Sequence, residues 1–197
     1  EAQDYIHSKV NNGIITIQAD ATIDEDINNV IDITTTCFGT IDILINNVGG
    51  GGRWGNEDVL STPHKIWREV YDKNIGAATK FTLGVLPYMI KQNWGRVITI
   101  TSTLGKEAGG RPWFNIAKVA ETTLMKNLSM NKDFVRKNIT FDCVAPGCIM
   151  ILDTGWDIER KENPELFDKM VDEKYPLGRL GTPEEVANIV TFLCSDK

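Results

Sequence analysis

Lys118 is the residue of this sequence whose setting most strongly suggests chemistry. It lies in an apolar run formed by Ile116, Ala117, Val119 and Ala120, where burial of an unpaired ammonium group costs free energy. A lysine in this setting is useful where its charge acts on a ligand or on a neighbouring group. We therefore take Lys118 as a candidate functional residue.

Phe114 stands four residues before Lys118, a spacing that places both side chains on one face of a helix. A phenyl ring has no proton to donate and no lone pair to accept one. The pair therefore places a cation beside a ring that cannot take part in acid–base chemistry.

Asn74 interrupts an apolar stripe on the helix predicted over residues 63–91. The stripe consists of Trp67, Val70, Ala78, Phe81 and Val85. A buried amide must find partners or cost about 1–3 kcal/mol. Two interpretations stay open: a structural amide bonded to backbone or water, and an amide that anchors a chain of water molecules at an active site.

Polar residues or glycines follow each predicted strand. They are Asp20, Asn46-Asn47-Val48-Gly49, Ser102-Thr103 and Pro146-Gly147. In an open parallel sheet, ligands bind beyond the carboxyl ends of the strands, so the four groups together predict a ligand crevice. Asp20 alone has a second interpretation, as a loop carboxylate or as the cap of the helix that begins near Ile23.

The run "GGGRWG" over residues 50–55 matches the G-x-G-x-x-G pattern and follows a strand. That pattern binds a pyrophosphate only when its last glycine opens a helix. Here the next helix begins only after Thr62, with Pro63 at its first position. We therefore predict a flexible loop that lines the crevice rather than a phosphate cradle.

Short apolar runs alternate with longer amphipathic ones. We predict strands over residues 13–20, 41–45, 96–102 and 138–147, and helices over 23–38, 63–91 (bent or ended by Pro87), 112–131 and 183–194. Strands that are apolar throughout and separated by helices indicate a parallel sheet covered on both faces. The predicted fold class is α/β with a doubly wound parallel sheet.

No internal repeat or linker divides the chain, so residues 1–197 are predicted to form a single domain. Residues 148–181 have weak periodicity and several turn residues. They are too long for a bare connection and are predicted to form a substrate lid or loop with short helices of its own.

Charge, apolar runs and cysteine spacing limit the classes of partner and the cellular location that we expect for this chain. The chain has 21 basic and 27 acidic residues, a net charge of −6, which argues against a nucleic-acid partner. No apolar run approaches the roughly 18 residues of a membrane helix. Four cysteines without a C-x-x-C spacing indicate reduced, mostly buried thiols and a cytoplasmic location, with no metal expected. His7 and His64 are predicted surface residues.

These motifs together resemble the short-chain dehydrogenase/reductase family, and within it the 3-oxoacyl-acyl carrier protein reductase-like branch. The matching pieces run in family order along essentially the whole chain: Asn46-Asn47-Val48-Gly49, Asn74 in "YDKNIGA", Ser102 after "GRVITIT", Lys118 in "FNIAK", Pro146-Gly147, and "PLGRLGTPEEVANIVTFLCSD" near the end. The resemblance implies a Rossmann-like three-layer sandwich and hydride transfer between NAD or NADP and a small-molecule carbonyl or alcohol substrate.

The resemblance also assigns roles. In the family, a tyrosine four residues before the lysine is the general acid/base, and the lysine lowers its pKa and holds the nicotinamide ribose. The serine hydrogen-bonds the substrate oxygen, and the asparagine supports a proton-relaying water. Asn74, Ser102 and Lys118 fill their positions, but Phe114 occupies the position of the tyrosine.

A positioned acid/base contributes about 10²–10⁴-fold to rate, so this form is expected to be impaired while still binding cofactor. Glu107 and Asp142 are alternative acids only if loops bring them close. Two explanations of Phe114 stay open. It is an engineered change in an active enzyme, or the chain is a pseudo-enzyme retained for cofactor binding or interaction.

For the cofactor, the resemblance implies contacts on two sides. Asp20 and Ala21 match positions at the adenine ring, Asn46, Val48 and Gly49 flank the adenosine side, and Pro146, Gly147 and Ile149 line the nicotinamide. The helices 64–91 and 112–131 match those that pair across two-fold axes, so a homo-oligomer (dimer or tetramer) is expected. From the residues alone, both helices could merely cover the sheet.

The sequence also departs from the family pattern. It begins after the family's first strand, glycine-rich turn and second strand and stops before its last strand, so we expect a fragment or the ordered part of a longer chain. Asp142 stands where the branch commonly has asparagine, and the segment 148–154 is longer and more apolar than usual. Met150 and Trp156 either shape an apolar substrate pocket or pack within the lid.

Overall fold

The computed structural model describes Ile6, Ser8 and residues 13–51 and 58–196. In chain order the elements are α1 (Asp24–Phe38), β1 (Ile43–Asn46), α2 (His64–Tyr71), a π-helical segment (Asp72–Gly76), α3 (Ala77–Gln92), β2 (Gly95–Ile100), a 3₁₀ turn (Thr103–Gly105), α4 (Pro112–Ser129), α5 (Lys132–Val135), β3 (Ile139–Val144), α6 (Gly155–Glu162), α7 (Pro164–Lys174) and α8 (Pro183–Leu193).

The three strands form a parallel sheet in the order β1-β2-β3. In the ladder between β1 and β2, Ile43 pairs with Arg96, and in the ladder between β2 and β3, Gly95 pairs with Ile139. Helices connect the strands, as parallel pairing requires. The strands predicted near 41–45, 96–102 and 138–147 are therefore confirmed.

Neighbouring residues of β2 point to opposite faces of the sheet. Val97 belongs to a core that includes residues of α1, α3 and α4, among them Ile27, Met89 and Met125. Ile98 packs on the other face with Val190 of α8. The sheet is thus covered on both sides, and the predicted doubly wound α/β fold with three layers is confirmed.

The strand predicted over residues 13–20 is wrong, because residues 14–20 form no strand in the structure. Backbone groups form a strand only when a neighbouring strand accepts and donates their hydrogen bonds. Within the described residues, β1 pairs with β2 alone. Ile43 and Ile45 of β1 and Ile15 of the predicted strand are all exposed.

Two helix starts agree with the predictions and one differs. α1 opens with Asp24, Glu25 and Asp26 in its first turn, and Thr182 forms a capping box with Glu185 at the start of α8. At α2 the cap is Pro63. No side-chain cap hydrogen bond is present at this helix start, and the Thr62 hydroxyl donates instead to the Asp58 carbonyl 2.6 Å away.

Of the two effects predicted for Pro87, ending the helix is wrong, since α3 continues to Gln92. Pro87 is exposed to solvent, where a lost backbone hydrogen bond costs least. No helix in the described part of the chain is long and apolar enough to cross a membrane.

Residues 148–181 contain two helices, α6 and α7, as predicted for the lid. Phe167, Val171 and Leu180 form its buried centre. Met150 and Trp156 pack against this centre, and the Trp156 ring meets Phe167 edge-on at 6.5 Å between centroids. Of the two interpretations of Met150 and Trp156, the structure supports packing within the lid.

Candidate active site

Helix α4 supplies the central side chains of the site. It begins with Pro112 in its first turn, where the missing backbone N–H is not needed. Phe114, Lys118 and Glu121 follow at helical spacing on its inner side. Lys118 and Glu121 are both buried, with side chains 6 % and 1 % exposed.

The Lys118 ammonium group is held by two acceptor groups. Its Nζ donates to the Ile100 carbonyl at 3.0 Å and to Glu121 Oε2 at 2.9 Å and Oε1 at 3.2 Å. An ammonium has three N–H donors, and these contacts go to one carbonyl and one carboxylate. The lysine predicted to act on a ligand is therefore bonded to two groups of the protein in this structure.

Glu121 is a site residue that the sequence analysis missed. Burial raises the pKa of its carboxyl group above the usual value, and the charge and hydrogen bond of Lys118 oppose that change. A signal was present in the sequence: an acid three residues after a lysine lies next to it on a helix. Glu121 also falls on the inner side of α4, where an unpaired acid would not be tolerated.

Phe114 lies beside the ammonium group, with Lys118 Nζ 5.6 Å from the ring centroid. The ring packs on a cluster formed by Val70, Trp113 and Ala117. An attraction between the cation and the ring face is worth about 0.5–2 kcal/mol. The structure confirms the proximity of Phe114 and Lys118 that their spacing predicts.

A glycine segment closes over these side chains. A Cβ atom at Gly49 would lie 2.5 Å from Asn74 Oδ1 and 3.2 Å from Lys118 Nζ, and one at Gly51 would lie 3.0 Å from Phe114 Cγ. The backbone can approach this closely only where no side chain intervenes. The glycines after β1 are therefore part of the packing of the site.

Asn74 lies in the π-helical segment and is completely buried. Its Nδ2 donates to the Val70 carbonyl at 2.7 Å and the Gly50 carbonyl at 3.1 Å. The Gly50 N–H donates back to Oδ1 at 3.1 Å. The backbone partners support the structural interpretation of this side chain, which ties the glycine segment to the helix below it.

Ser102 lies just beyond β2, two residues after the Ile100 carbonyl that accepts from Lys118. It caps the 3₁₀ turn, and its Oγ accepts from the Leu104 N–H at 3.2 Å. Gly105, in the same turn, approaches α4 so closely that a Cβ there would lie 3.0 Å from the Lys118 carbonyl. The turn is thereby packed against the helix that carries Lys118.

The predicted adenine side contains a cavity of about 540 Å³ lined by Asp20, Ala21 and Val48, with Asp72 and Lys73 opposite. Asp20 accepts from the hydroxyl and N–H of Thr22 at 2.7 and 2.8 Å, and these bonds lower the pKa of its carboxyl. The structure thus brings three of the predicted cofactor residues to one cavity.

A second cavity of about 390 Å³ lies on the predicted nicotinamide side. Pro146 and Ile149 line it together with Ile100, Val186 and Val190. Gly147 is exposed, and a Cβ there would meet nothing within 4 Å. This cavity is more apolar than the first.

Asn46 is placed differently from the other predicted cofactor residues. It is buried, and its Nδ2 donates to Thr82 Oγ1 at 3.1 Å and Thr99 Oγ1 at 3.2 Å. These bonds join β1 to α3 and β2. The amide nitrogen of Asn46 is thus engaged in the core rather than directed at the large cavities.

The remaining candidates lie apart from the ammonium group. Glu107 is exposed, and Asp142 lies half-buried in β3 beside Ile98. The acid that bonds Lys118 is Glu121. Residues 52–55 of the glycine-rich run and His7 lie outside the described residues. His64 is exposed, as predicted.

All four cysteines carry free thiols. Cys37 and Cys143 are exposed rather than buried, so that part of the prediction is wrong. Among the described residues no group of three or more metal-binding side chains occurs.

A covered parallel sheet with polar side chains beyond its strand ends defines a doubly wound α/β protein with a ligand site at its carboxyl edge. The family model described as "Enoyl-(Acyl carrier protein) reductase" matches residues 2–197. The chain belongs to the short-chain dehydrogenase/reductase family.

Curated relatives support the same assignment. The chain is 34% identical over 176 residues to a 3-oxoacyl-[acyl-carrier-protein] reductase of Aquifex aeolicus (strain VF5). The aligned residues cover 88% of this chain and 66% of the relative. It is 30% identical over 179 residues to the 7alpha-hydroxysteroid dehydrogenase of Escherichia coli (strain K12), which covers 90% and 66%. The chain thus spans about two thirds of the length of these relatives.

Solved structures show the same fold. A 7 alpha-hydroxysteroid dehydrogenase complexed with NADH and 7-oxo glycochenodeoxycholic acid superposes with a TM-score of 0.83 at 27% identity, covering 98% of this chain and 73% of that one. An NAD⁺-bound xylitol dehydrogenase gives 0.77 at 25% identity, covering 90% and 71%.

Proposed function

We propose that this chain forms the catalytic core of an NAD- or NADP-dependent oxidoreductase that acts on a small carbonyl or alcohol compound. The observation that carries the proposal is a buried lysine packed next to residues that adjoin two cavities at the carboxyl edge of the sheet. Val48 lines one cavity and is followed by Gly49, where an added Cβ would lie 3.2 Å from Lys118 Nζ. Ile100 lines the other, and its carbonyl binds Lys118.

The residues present fit a dinucleotide. Asp20, Ala21 and Val48 would hold its adenosine side, and Pro146 and Ile149 its nicotinamide side. When bound, the nicotinamide supplies or accepts the hydride.

The chain's own residues would handle orientation and the proton. Ser102 would donate a hydrogen bond from its hydroxyl to the substrate oxygen, and Lys118 would hold positive charge close by. Phe114 would exclude water from this corner but has no proton to transfer. Turnover of this form is therefore expected to be low while cofactor binding is retained.

The test compares the full protein with its Phe114→Tyr variant, using NADH and NADPH oxidation over a panel of ketones and aldehydes. We expect the variant to be faster by about 10²–10⁴-fold, the usual contribution of a positioned acid, with similar cofactor dissociation constants. A parent protein as fast as the variant would show that Phe114 does not impair it.

A second candidate function is that of a catalytically inactive protein that binds cofactor or a partner. Phe114 and the hydrogen bonds of Lys118 to Ile100 and Glu121 within the protein favour it. Cofactor binding without turnover in either protein would support this candidate. Absence of both binding and turnover would overturn the oxidoreductase proposal.

We also propose that the chain assembles as a homodimer or homotetramer through α3 and α4. Leu83 of α3 and Ile116 and Val119 of α4 are exposed apolar side chains, which a second copy would cover. Light scattering at micromolar concentration tests this, and a monomer would contradict it. The four free thiols support a reducing compartment such as the cytoplasm.

A further inference from the structure

The carboxyl group of Glu121 has an unusual position for an acid. It is almost fully buried, and the cation that bonds both of its oxygens is Lys118. Removing a carboxylate from water is costly unless a cation and hydrogen bonds compensate. A residue that merely filled this space would not need a charge.

The hydrogen bonds define where the ammonium group points. Two of its three bonds run to Glu121 and one to the Ile100 carbonyl, although the Phe114 ring is beside it. A lysine that acts on a group at position 114 or on a ligand must direct charge or an N–H toward it. Glu121 competes for both.

The Cys143 thiol is a titratable group near this carboxylate, but it adds no charge beside the Lys118–Glu121 pair near pH 7. Cys143 on β3 is within electrostatic reach, and partial burial, then Glu121 and Asp142, raise the pKa of its thiol to about 11. The thiol is therefore neutral near pH 7. Lys106 and Lys126 act more weakly on the same thiol.

We propose that Glu121 is a positioning residue that neutralises the Lys118 ammonium group and engages N–H groups that would otherwise be directed at residue 114 and the ligand. It acts through Lys118 and does not itself touch a reacting atom. The inference deepens the proposed function and rests on it. It means that the chain restrains acid–base chemistry at two points, the missing hydroxyl of Phe114 and the engaged charge of Lys118.

The proposal has a measurable consequence for a tyrosine placed at position 114. An unpaired cation within about 4–6 Å lowers the pKa of an acid by about 1–3 units. A cation already paired with a carboxylate lowers it less. We therefore expect the phenol of the Phe114→Tyr variant to titrate about 1–2 pKa units higher than that of the Phe114→Tyr/Glu121→Gln variant.

The experiment is ¹³C-tyrosine NMR titration of the full protein without cofactor or substrate, where the parent spectrum identifies the added resonance. The matched control is Asp133→Asn in the Phe114→Tyr background, since Asp133 is an exposed acid in α5, and it should leave the phenol pKa unchanged. An unchanged pKa in the Glu121→Gln double variant would overturn the proposal.

A further pair of variants shows whether the effect passes through the lysine. With Lys118→Met also present, Glu121→Gln should shift the phenol pKa by less than half as much. An equal shift would mean that Glu121 acts on residue 114 directly, and would overturn the positioning role.

If the Glu121→Gln protein does not fold, Glu121→Asp in the Phe114→Tyr background replaces it. Its shorter side chain draws the carboxylate back from Lys118, so the phenol pKa should fall part of the way, and no fall would overturn the proposal. The titration needs neither cofactor nor turnover. Its failure is therefore distinguishable from failure of the proposed hydride transfer.

Discussion

Two buried carboxylates, Glu121 in the candidate active site and Asp157 in the lid, lie in opposite electrostatic environments. Both are almost inaccessible to solvent, and both pair with a cation three residues away on a helix. Lys118, the partner of Glu121, is buried with it. The partners of Asp157 are Arg160 and Lys161, which are 47 % and 57 % exposed.

The pKa values of the two carboxyl groups move in opposite directions. Burial raises the pKa of Glu121 despite Lys118. At Asp157, hydrogen bonds from Lys161, from the Asp153 N–H and from Arg160 lower it well below its usual value. Burial is the largest cause at Glu121, whereas at Asp157 the hydrogen bonds outweigh the opposing effect of burial.

The two clusters differ in how the charge of the buried acid is compensated. In the lid, three donors stabilise the charge of Asp157, and the acid joins the start of α6 to its last turn. In the site, one lysine serves an acid that remains poorly compensated. Ionisable groups whose pKa values are perturbed by burial and by a charged partner, as at Glu121, are typical of active sites.

The largest expected effect comes from removing the cation of the site. Lys118→Met leaves Glu121 buried without a partner, so we expect a loss of about 3–5 kcal/mol in the free energy of unfolding at pH 8. The loss should shrink at pH 5, because protonation removes the buried charge. Urea denaturation at both pH values measures it.

The double variant Lys118→Met/Glu121→Met is the control for this prediction. Replacing a whole buried pair by apolar residues is often neutral or stabilising. We expect its unfolding free energy to lie near that of the parent. A double variant as unstable as the single one would mean that packing, and not charge, sets the cost.

An intermediate effect is expected from crowding the same ammonium group. Gly49→Ala places a Cβ against Asn74 and Lys118, and overpacking of this kind costs about 1–3 kcal/mol. Gly147→Ala is the matched control, because its Cβ meets nothing within 4 Å. Equal denaturation midpoints for the two variants would contradict the close packing of the site.

The smallest effect is expected in the lid, where the cations can turn to water. The folded-state pKa of Asp157 lies below its ordinary value of 3.8, so its stabilisation is present above pH 3.8 and declines as the pH falls. Asp157→Asn should thus lower the unfolding free energy at pH 7, and the difference from the parent should narrow below pH 4.

The contribution of Glu121 to stability is expected to change with pH in the opposite direction to that of Asp157. Its raised pKa means that folding favours the protonated form, so its contribution to stability declines as the pH rises from its ordinary value of 4.5 through the folded-state pKa. Thermal unfolding from pH 3 to 8 compares Asp157→Asn with Glu121→Gln. Each variant gives a stability difference from the parent protein. If both differences changed with pH in the same direction, the distinction between the two regions would be wrong.

Much of the fold could be predicted because its signals are local. Thr182-Pro183 with Glu185 specifies the start of α8, and the capping box is present. Apolar runs between helices predicted β1, β2 and β3. The strand expected at 13–20 failed because a strand also needs a hydrogen-bonded neighbour, which its own residues do not specify.

The site could be predicted only in part. The position of Lys118 next to Phe114 followed from their spacing, and the glycines after β1 proved to be in contact with both. Asn46 was expected at the cofactor, yet its amide bonds Thr82 and Thr99. Those partners are distant in sequence, so only the packing of α3 and β2 brings them together.

The sequence by itself determined the alternation of helices and strands, the family and the position of Phe114 one helical turn before Lys118, because these depend on residue type and order. The tertiary structure decided which side chains are buried and which groups they form hydrogen bonds with. It placed Glu121 with Lys118 in a space closed by Gly49 and the Ile100 carbonyl. Burial and charge pairing depend on which elements meet, and chain neighbours alone do not specify that.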